Sequence, residues 1–213
     1  MTLPHLVTNL CFELQKGKFC YVLESSTANC RKLCRLTHKE MMRRDYRSIL
    51  IDVQTSAIAW DQNIITAIWQ RLHPQNEAWL VQWLSTTADL SSQQRLTQFA
   101  DDLLLSDLCE GPLLIQFMNI DSLLKDPLTT QIFLDWVGYC YELRDAHLTY
   151  SHLSIVAFGS ALPAAFLSQM AKSKHAVVRE HTSRIVVFRN TWVPQLRIQE
   201  HIKTAACKYI APA

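Results

Sequence analysis

Short apolar runs alternate along the chain with longer stretches in which apolar positions recur every three or four residues. The runs Phe19–Leu23, Ile49–Val53, Leu113–Met118, Leu153–Gly159 and Arg184–Phe188 have the length and β-branched or aromatic content of buried strands. Helical periodicity occupies residues 8–16, 29–45, 64–72, 77–84, 91–108, 129–146, 163–170 and 195–209. On the helix 29–45 the spacing puts Leu33, Leu36 and Met41 on the inner side. Gly17 ends the first helix, Pro74 separates the third from the fourth, and Gly111-Pro112 breaks the chain before the third strand. Ser91-Ser92-Gln93-Gln94 reads as a capped helix start. Buried strands alternating with helices predict an α/β fold, with a mainly parallel sheet of about five strands covered on both faces. The last forty residues follow the pattern least.

Composition narrows this picture without changing it. A chain of 213 residues fits one domain with a full core. The apolar fraction of 49% and charged fraction of 19% are those of an ordinary globular protein. Net charge is only +2, so a basic site must be local. Four glycines are too few for a turn-rich all-β fold or for glycine-dependent phosphate loops. The seven cysteines form no C-x-x-C pair and lie mostly in apolar runs. No signal peptide or membrane span is visible, so a reducing cytoplasm is the expected compartment.

The chemistry concentrates at residues 19–32. Strand, tight loop and helix is the layout of a phosphate-binding loop, which should carry G-x-x-x-x-G-K-[ST]. Here the second glycine, the lysine and the hydroxyl residue are replaced by Asn29, Cys30 and Arg31. Lys32 lies two residues late, roughly 200° round the helix, and points away from the loop. Arg31, Arg35, Lys39 and Arg43 recur every four residues as one cationic stripe. It reads either as an anion or partner surface or as the solvated face of an outer helix. Cys30, Cys34 and His38 also share a face, but three ligands lacking a fourth favour burial over metal binding. Trp79, Leu80 and Trp83 form either core or a patch for a partner. Ile198, Ile202, Ala206 and Tyr209 leave the same two readings open for the terminal helix. No H-E-x-x-H, G-x-S-x-G or similar motif supports metal-dependent or nucleophilic catalysis.

Four segments resemble, in order, the AAA-like P-loop ATPase domains of the signal-transduction and origin-recognition type that are abundant in cyanobacteria. Phe19-Cys20-Tyr21-Val22-Leu23-Glu24-Ser25 is similar to the family's F-C-Y-V-L-N-S, and Leu90-Ser91-Ser92-Gln93-Gln94-Arg95-Leu96 to its L-S-P-x-Q-R-L. Leu113 to Leu124 resembles its Walker B strand, and Phe133 to Arg144 with Leu153 to Pro163 its next helix and strand. The resemblance implies a three-layer P-loop NTPase-like core over residues 1–170. Residues 171–213 would add a divergent strand and helix packed on the same domain, too short for a full lid. It also implies a degenerate nucleotide site of Asn29, Cys30, Arg31, Met118, Asn119 and Asp121, since Met118-Asn119 replaces the Walker B Asp-Glu. Positioning and charge neutralisation carry phosphoryl transfer, so the expectation is an inactive pseudo-ATPase with no cofactor, acting as a regulatory or scaffolding protein-interaction module. The alternative is a nucleic-acid- or nucleotide-binding protein that uses the basic helix 31–47.

Overall fold

The computed structural model describes residues 3–24, 26–53, 60–104, 108, 110–160 and 183–187. The expected helices over 163–170 and 195–209, with the terminal helix face, lie outside the described residues. Five strands form one sheet in the order β2-β3-β4-β1-β5, built from β1 (Cys20–Glu24), β2 (Arg47–Asp52), β3 (Leu113–Met118), β4 (Leu153–Gly159) and β5 (Ser183–Val187). The first four are parallel; β5 runs antiparallel to β1.

Alternation along the strands sends side chains to two separate cores. Phe19, Tyr21, Ile49, Ile51, Ile115, Phe117, Ile155 and Ala157 join the larger one. Cys20, Val22, Leu114, Val156 and Phe158 join the smaller. Over the smaller core lie α1 (Leu3–Gln15) and α2 (Thr27–Met42). The larger is covered by α3 (Trp60–Leu72), α4 (Glu77–Thr86), α5 (Ser92–Phe99) and α6 (Pro127–Ala146). Strands buried on both faces must be apolar throughout, which is why β3 and β4 stand out so plainly in the sequence. No helix among the described residues is long and apolar enough to cross a membrane.

Local signals explain the helix ends. Gly17 has φ +70°, with Gly17 N–H donating to Leu14 and Lys18 N–H to Glu13, the bond pattern that closes a helix on a left-handed residue. A Cβ at this position would also collide with the Arg144 guanidinium. Ser91 and Gln94 form a reciprocal capping box at α5. Asp126 caps α6 by accepting from Leu128 and Thr129 N–H, with Pro127 in the first turn.

Two expectations need correction, and one open alternative closes. The α5 helix stops at Phe99 and widens into a π turn over Ala100–Leu104, where the Tyr150 hydroxyl donates to the Ala100 carbonyl at 2.6 Å. Leu36 is 36% exposed, because the buried arc of α2 runs through Cys30, Leu33, Cys34, Thr37 and Met41. Leu80 and Trp83 are buried in the larger core and Trp79 packs against it. Trp69 stacks on Trp79 at 4.6 Å, and Trp83 meets Phe99 edge-on at 6.1 Å. The tryptophans therefore turn inward; the large apolar side chain that α4 exposes is Val81.

Candidate functional site

The connection leaving β1 covers one face of the sheet, and those leaving β2 and β3 cover the other. In an open α/β sheet such a switch places the natural ligand crevice outside the carboxyl ends of the strands. At this crevice the chain brings together Glu24 at the end of β1, Ser26 and Cys30 at the start of α2, Asp121 after β3 and Ser160 after β4.

Its carboxylates are already engaged by backbone amides. Glu24 is 2% exposed and accepts from Ser26 N–H at 2.9 Å. Ser26 in turn caps α2, its hydroxyl accepting from Asn29 N–H. Both carboxylate oxygens of Asp121 accept from Ser160 N–H, at 2.9 and 2.8 Å. Gly159 lets this happen: a Cβ there would overlap the Tyr21 hydroxyl and lie 2.7 Å from Ile120 Cγ2 and 2.9 Å from Asp121 Oδ1. Side chains from β1 and the turn after β3 thus fill the space beside β4.

The electrostatics run against an anion. Burial and then the nearby Asp121 and Glu24 carboxylates push the Cys30 thiol up to about 11, while Arg31 pulls the other way. A thiol held that high is protonated at neutral pH and makes a poor nucleophile. Burial, helped by Asp121, also raises the Tyr21 hydroxyl. A phosphate in this crevice would face the same two carboxylates. At about 4 Å and an effective dielectric near 20, a pair of like unit charges costs roughly 4 kcal/mol.

Of the six residues expected to form a degenerate nucleotide site, Cys30 and Asp121 lie near enough for the carboxylate to act on the thiol. Asn29 and Arg31 are exposed on the first turn of α2. Met118 packs against the smaller core. Asn119 adopts a left-handed conformation, φ 57°, and donates to Asp52. Sequence reasoning missed Glu24 and Tyr21. The available signal was an acid closing an apolar strand, which buries a charge unless the fold supplies partners.

Cys34 and His38, two residues of the possible metal face, have hydrogen-bond partners in the fold. Cys34 donates its thiol to Gln116 Oε1 at 3.5 Å, and Gln116 Nε2 donates to Ser48 Oγ at 3.0 Å. Ser48 and His38 Nδ1 share a 2.9 Å hydrogen bond. This chain of polar contacts ties α2 to β2 and β3. No cluster of ligating side chains suited to a metal occurs among the described residues. Arg31, Lys32, Arg35 and Lys39 are exposed on α2, and Arg43 is exposed at its C-terminal cap. Only Arg43 makes an ion pair among the described residues, to Glu40 at 3.5 Å. The cavity lined by Ile51, Asp52, Val53, Trp60, Asn63, Ile64 and Ala67 holds only about 40 Å³, far below the 300 Å³ or more of a ligand pocket.

Comparison with known proteins gives one distant relative. Over 164 residues the chain is 27% identical to an uncharacterized WD repeat-containing protein of Synechocystis sp.. That match covers 72% of this chain and 13% of the relative, so the chain spans about one-eighth of its length. No protein-family model matches, and no solved structure is significantly similar. These findings overturn the membership suggested by short motifs: no match is to an AAA-like P-loop ATPase.

Proposed function

We propose that this chain is a non-catalytic α/β module that acts through protein–protein contacts, in a regulatory or scaffolding role. One observation carries the reading: the crevice where an open α/β sheet would bind its ligand is filled by Glu24, Tyr21 and Asp121. The succession of strand, short connection and capped helix supports a P-loop NTPase-like three-layer layout as a fold, not as a family. The features that would make that layout catalytic are replaced. No lysine stands at Cys30, and the acids present are spent on Ser26 and Ser160 N–H groups.

The distant relative fits this reading. A WD-repeat blade is a four-stranded antiparallel unit of about 40–45 residues, and the described sheet, four of whose five strands are parallel, contains none. On this reading the similar segment lies outside the relative's repeats. The occurrence of a similar segment in a WD repeat-containing protein supports a role in protein contacts.

A second reading, binding of nucleic acid or nucleotide through α2, rests on the exposed cations Arg31, Lys32, Arg35 and Lys39. Salt-dependent binding that collapses on reversing Arg35, Lys39 and Arg43 would favour it. No described aromatic residue interleaves with the stripe as a base-stacking platform requires.

Nucleotide titration tests the main reading. ATP and ADP, with or without magnesium, should give no calorimetric heat and no change in melting temperature up to millimolar concentration. A ligand at one hundred times its Kd would add about 2.7 kcal/mol of stability. Magnesium-dependent binding at that scale would overturn the proposal.

A further inference from the structure

The outer edge of the sheet offers what the crevice does not. Strand β2 ends the sheet and pairs only with β3 among the described residues. Arg47 N–H donates to the Pro112 carbonyl and Val53 N–H to that of Met118, both at 2.9 Å. In a parallel ladder alternate residues turn both backbone groups to the same neighbour. The odd-numbered residues of β2 therefore face β3, and Ser48, Leu50 and Asp52 turn their N–H and C=O groups outward. Nothing described bonds to those groups.

Natural edge strands are usually blunted by a proline, a bulge or an inward-pointing charge. In Arg47-Ser48-Ile49-Leu50-Ile51-Asp52 there is no proline, and the register with β3 runs unbroken through six residues without a bulge. The charges lie only at its ends. Arg47 pairs with Glu110 at 2.8 Å, and Asp52 accepts from Asn119. The middle of the strand is left as an open template.

Its flanks are cationic. Along α2 the residues turned toward β2 include His38, bonded to Ser48. Helical spacing sets Arg31 and Arg35 on the same side as His38. Arg71, at the end of α3, approaches His38 from the opposite helix layer and, after burial, is the second cause of its lowered pKa. Arg31, Arg35 and Arg71 are exposed and make no ion pair among the described residues.

We infer that the β2 edge is a docking site for an extended acidic segment of a partner protein, which adds a strand through Ser48, Leu50 and Asp52 while its carboxylates meet Arg31, Arg35 and Arg71. Strand addition draws affinity from main-chain hydrogen bonds and selectivity from the flanking side chains. A second copy of this chain is the poorer occupant. Antiparallel β2–β2 pairing would set two α2 helices side by side on one face, with like charges opposed. The inference rests on the reading of the chain as an interaction module, and names the surface and the chemistry of the partner.

The test uses the intact chain and an eight-residue peptide of alternating glutamate and valine, with the lysine–valine peptide as control. In the protein alone, amide exchange should be fast at Ser48, Leu50 and Asp52 and slow at Ile49 and Ile51. The glutamate peptide should slow exchange at the three outward amides. It should also bind at least about tenfold more tightly than the lysine peptide, a difference of about 1.4 kcal/mol. Arg35→Glu with Arg71→Glu should remove that preference without unfolding the chain, since both side chains are exposed. Leu50→Pro deletes one outward N–H, a change edge strands tolerate, and should abolish peptide protection.

Protection of the three amides in the free monomer would overturn the inference, as would equal binding of both peptides. A concentration-dependent dimer with protected edge amides would overturn the choice of occupant. These failures stay distinct from failure of the module reading, which nucleotide titration reports on its own.

Discussion

Arg95→Ala is expected to destabilise the protein by about 3–5 kcal/mol, measured by urea unfolding. Arg95 is only 6% exposed and Asp61, its ion-pair partner, 2%. Its Nε donates to the Thr87 carbonyl at 3.1 Å, and Nη2 to those of Ala88 at 3.1 Å and Leu90 at 2.8 Å. One guanidinium therefore satisfies a buried carboxylate on α3 and three carbonyls between α4 and α5. Its removal leaves the Asp61 carboxylate buried without its partner and loosens the α4–α5 connection, and the uncompensated buried charge dominates the loss. Arg95→Met combined with Asp61→Leu should recover much of the stability, because the uncompensated charge then goes as well. If Arg95→Ala alone costs less than about 1 kcal/mol, water enters the α4–α5 connection and the clamp is not the main restraint there.

Arg95 also shows why a motif can mislead. The segment Leu90-Ser91-Ser92-Gln93-Gln94-Arg95-Leu96 resembles an ATPase segment, yet each position has a local cause. Ser91 and Gln94 make the capping box, Leu96 is fully buried, and Arg95 turns back onto the preceding carbonyls. Helix-capping chemistry recurs in unrelated folds. The same holds for an apolar strand running into a capped helix at residues 19–33. Short matches of this kind report packing solutions that many α/β proteins share.

The elements were legible where both faces of a strand are buried. Residues 113–118 and 153–159 are uninterrupted apolar runs apart from Gln116 and Ser154, and both strands fall where periodicity places them. Gly17 and Ser91 marked helix ends through backbone chemistry that acts within a few residues. Strand order and the reversed direction of β5 were not legible, since they depend on contacts far apart in sequence. For Trp79, Leu80 and Trp83, helical spacing fixes a common face but not whether that face turns inward. The crevice was half legible. Asp121 stood out as a surviving acid, whereas Glu24 and Tyr21 looked like ordinary strand residues until the fold set them beside Cys30 and Gly159.

Gly159→Ala should destabilise the fold by about 1–3 kcal/mol, the usual range for overpacking a filled interior. The added methyl would overlap the Tyr21 hydroxyl and crowd Ile120 and Asp121. The strain has a named origin, so a double-mutant cycle can isolate it. Tyr21→Phe removes the overlapping oxygen and should suppress part of the Gly159→Ala penalty, even though the phenylalanine variant forfeits what the hydroxyl contributes by itself. The cycle, read by urea unfolding, should show coupling of at least about 0.5 kcal/mol in the favourable direction. An open nucleotide crevice makes the opposite prediction. There Gly159 would border solvent or ligand, a methyl would be absorbed without strain, and the two substitutions would add. Additivity would reopen the crevice as a binding site; coupling would mean that Tyr21, Gly159 and Asp121 are packed as a plug, leaving the chain's surfaces to carry its function.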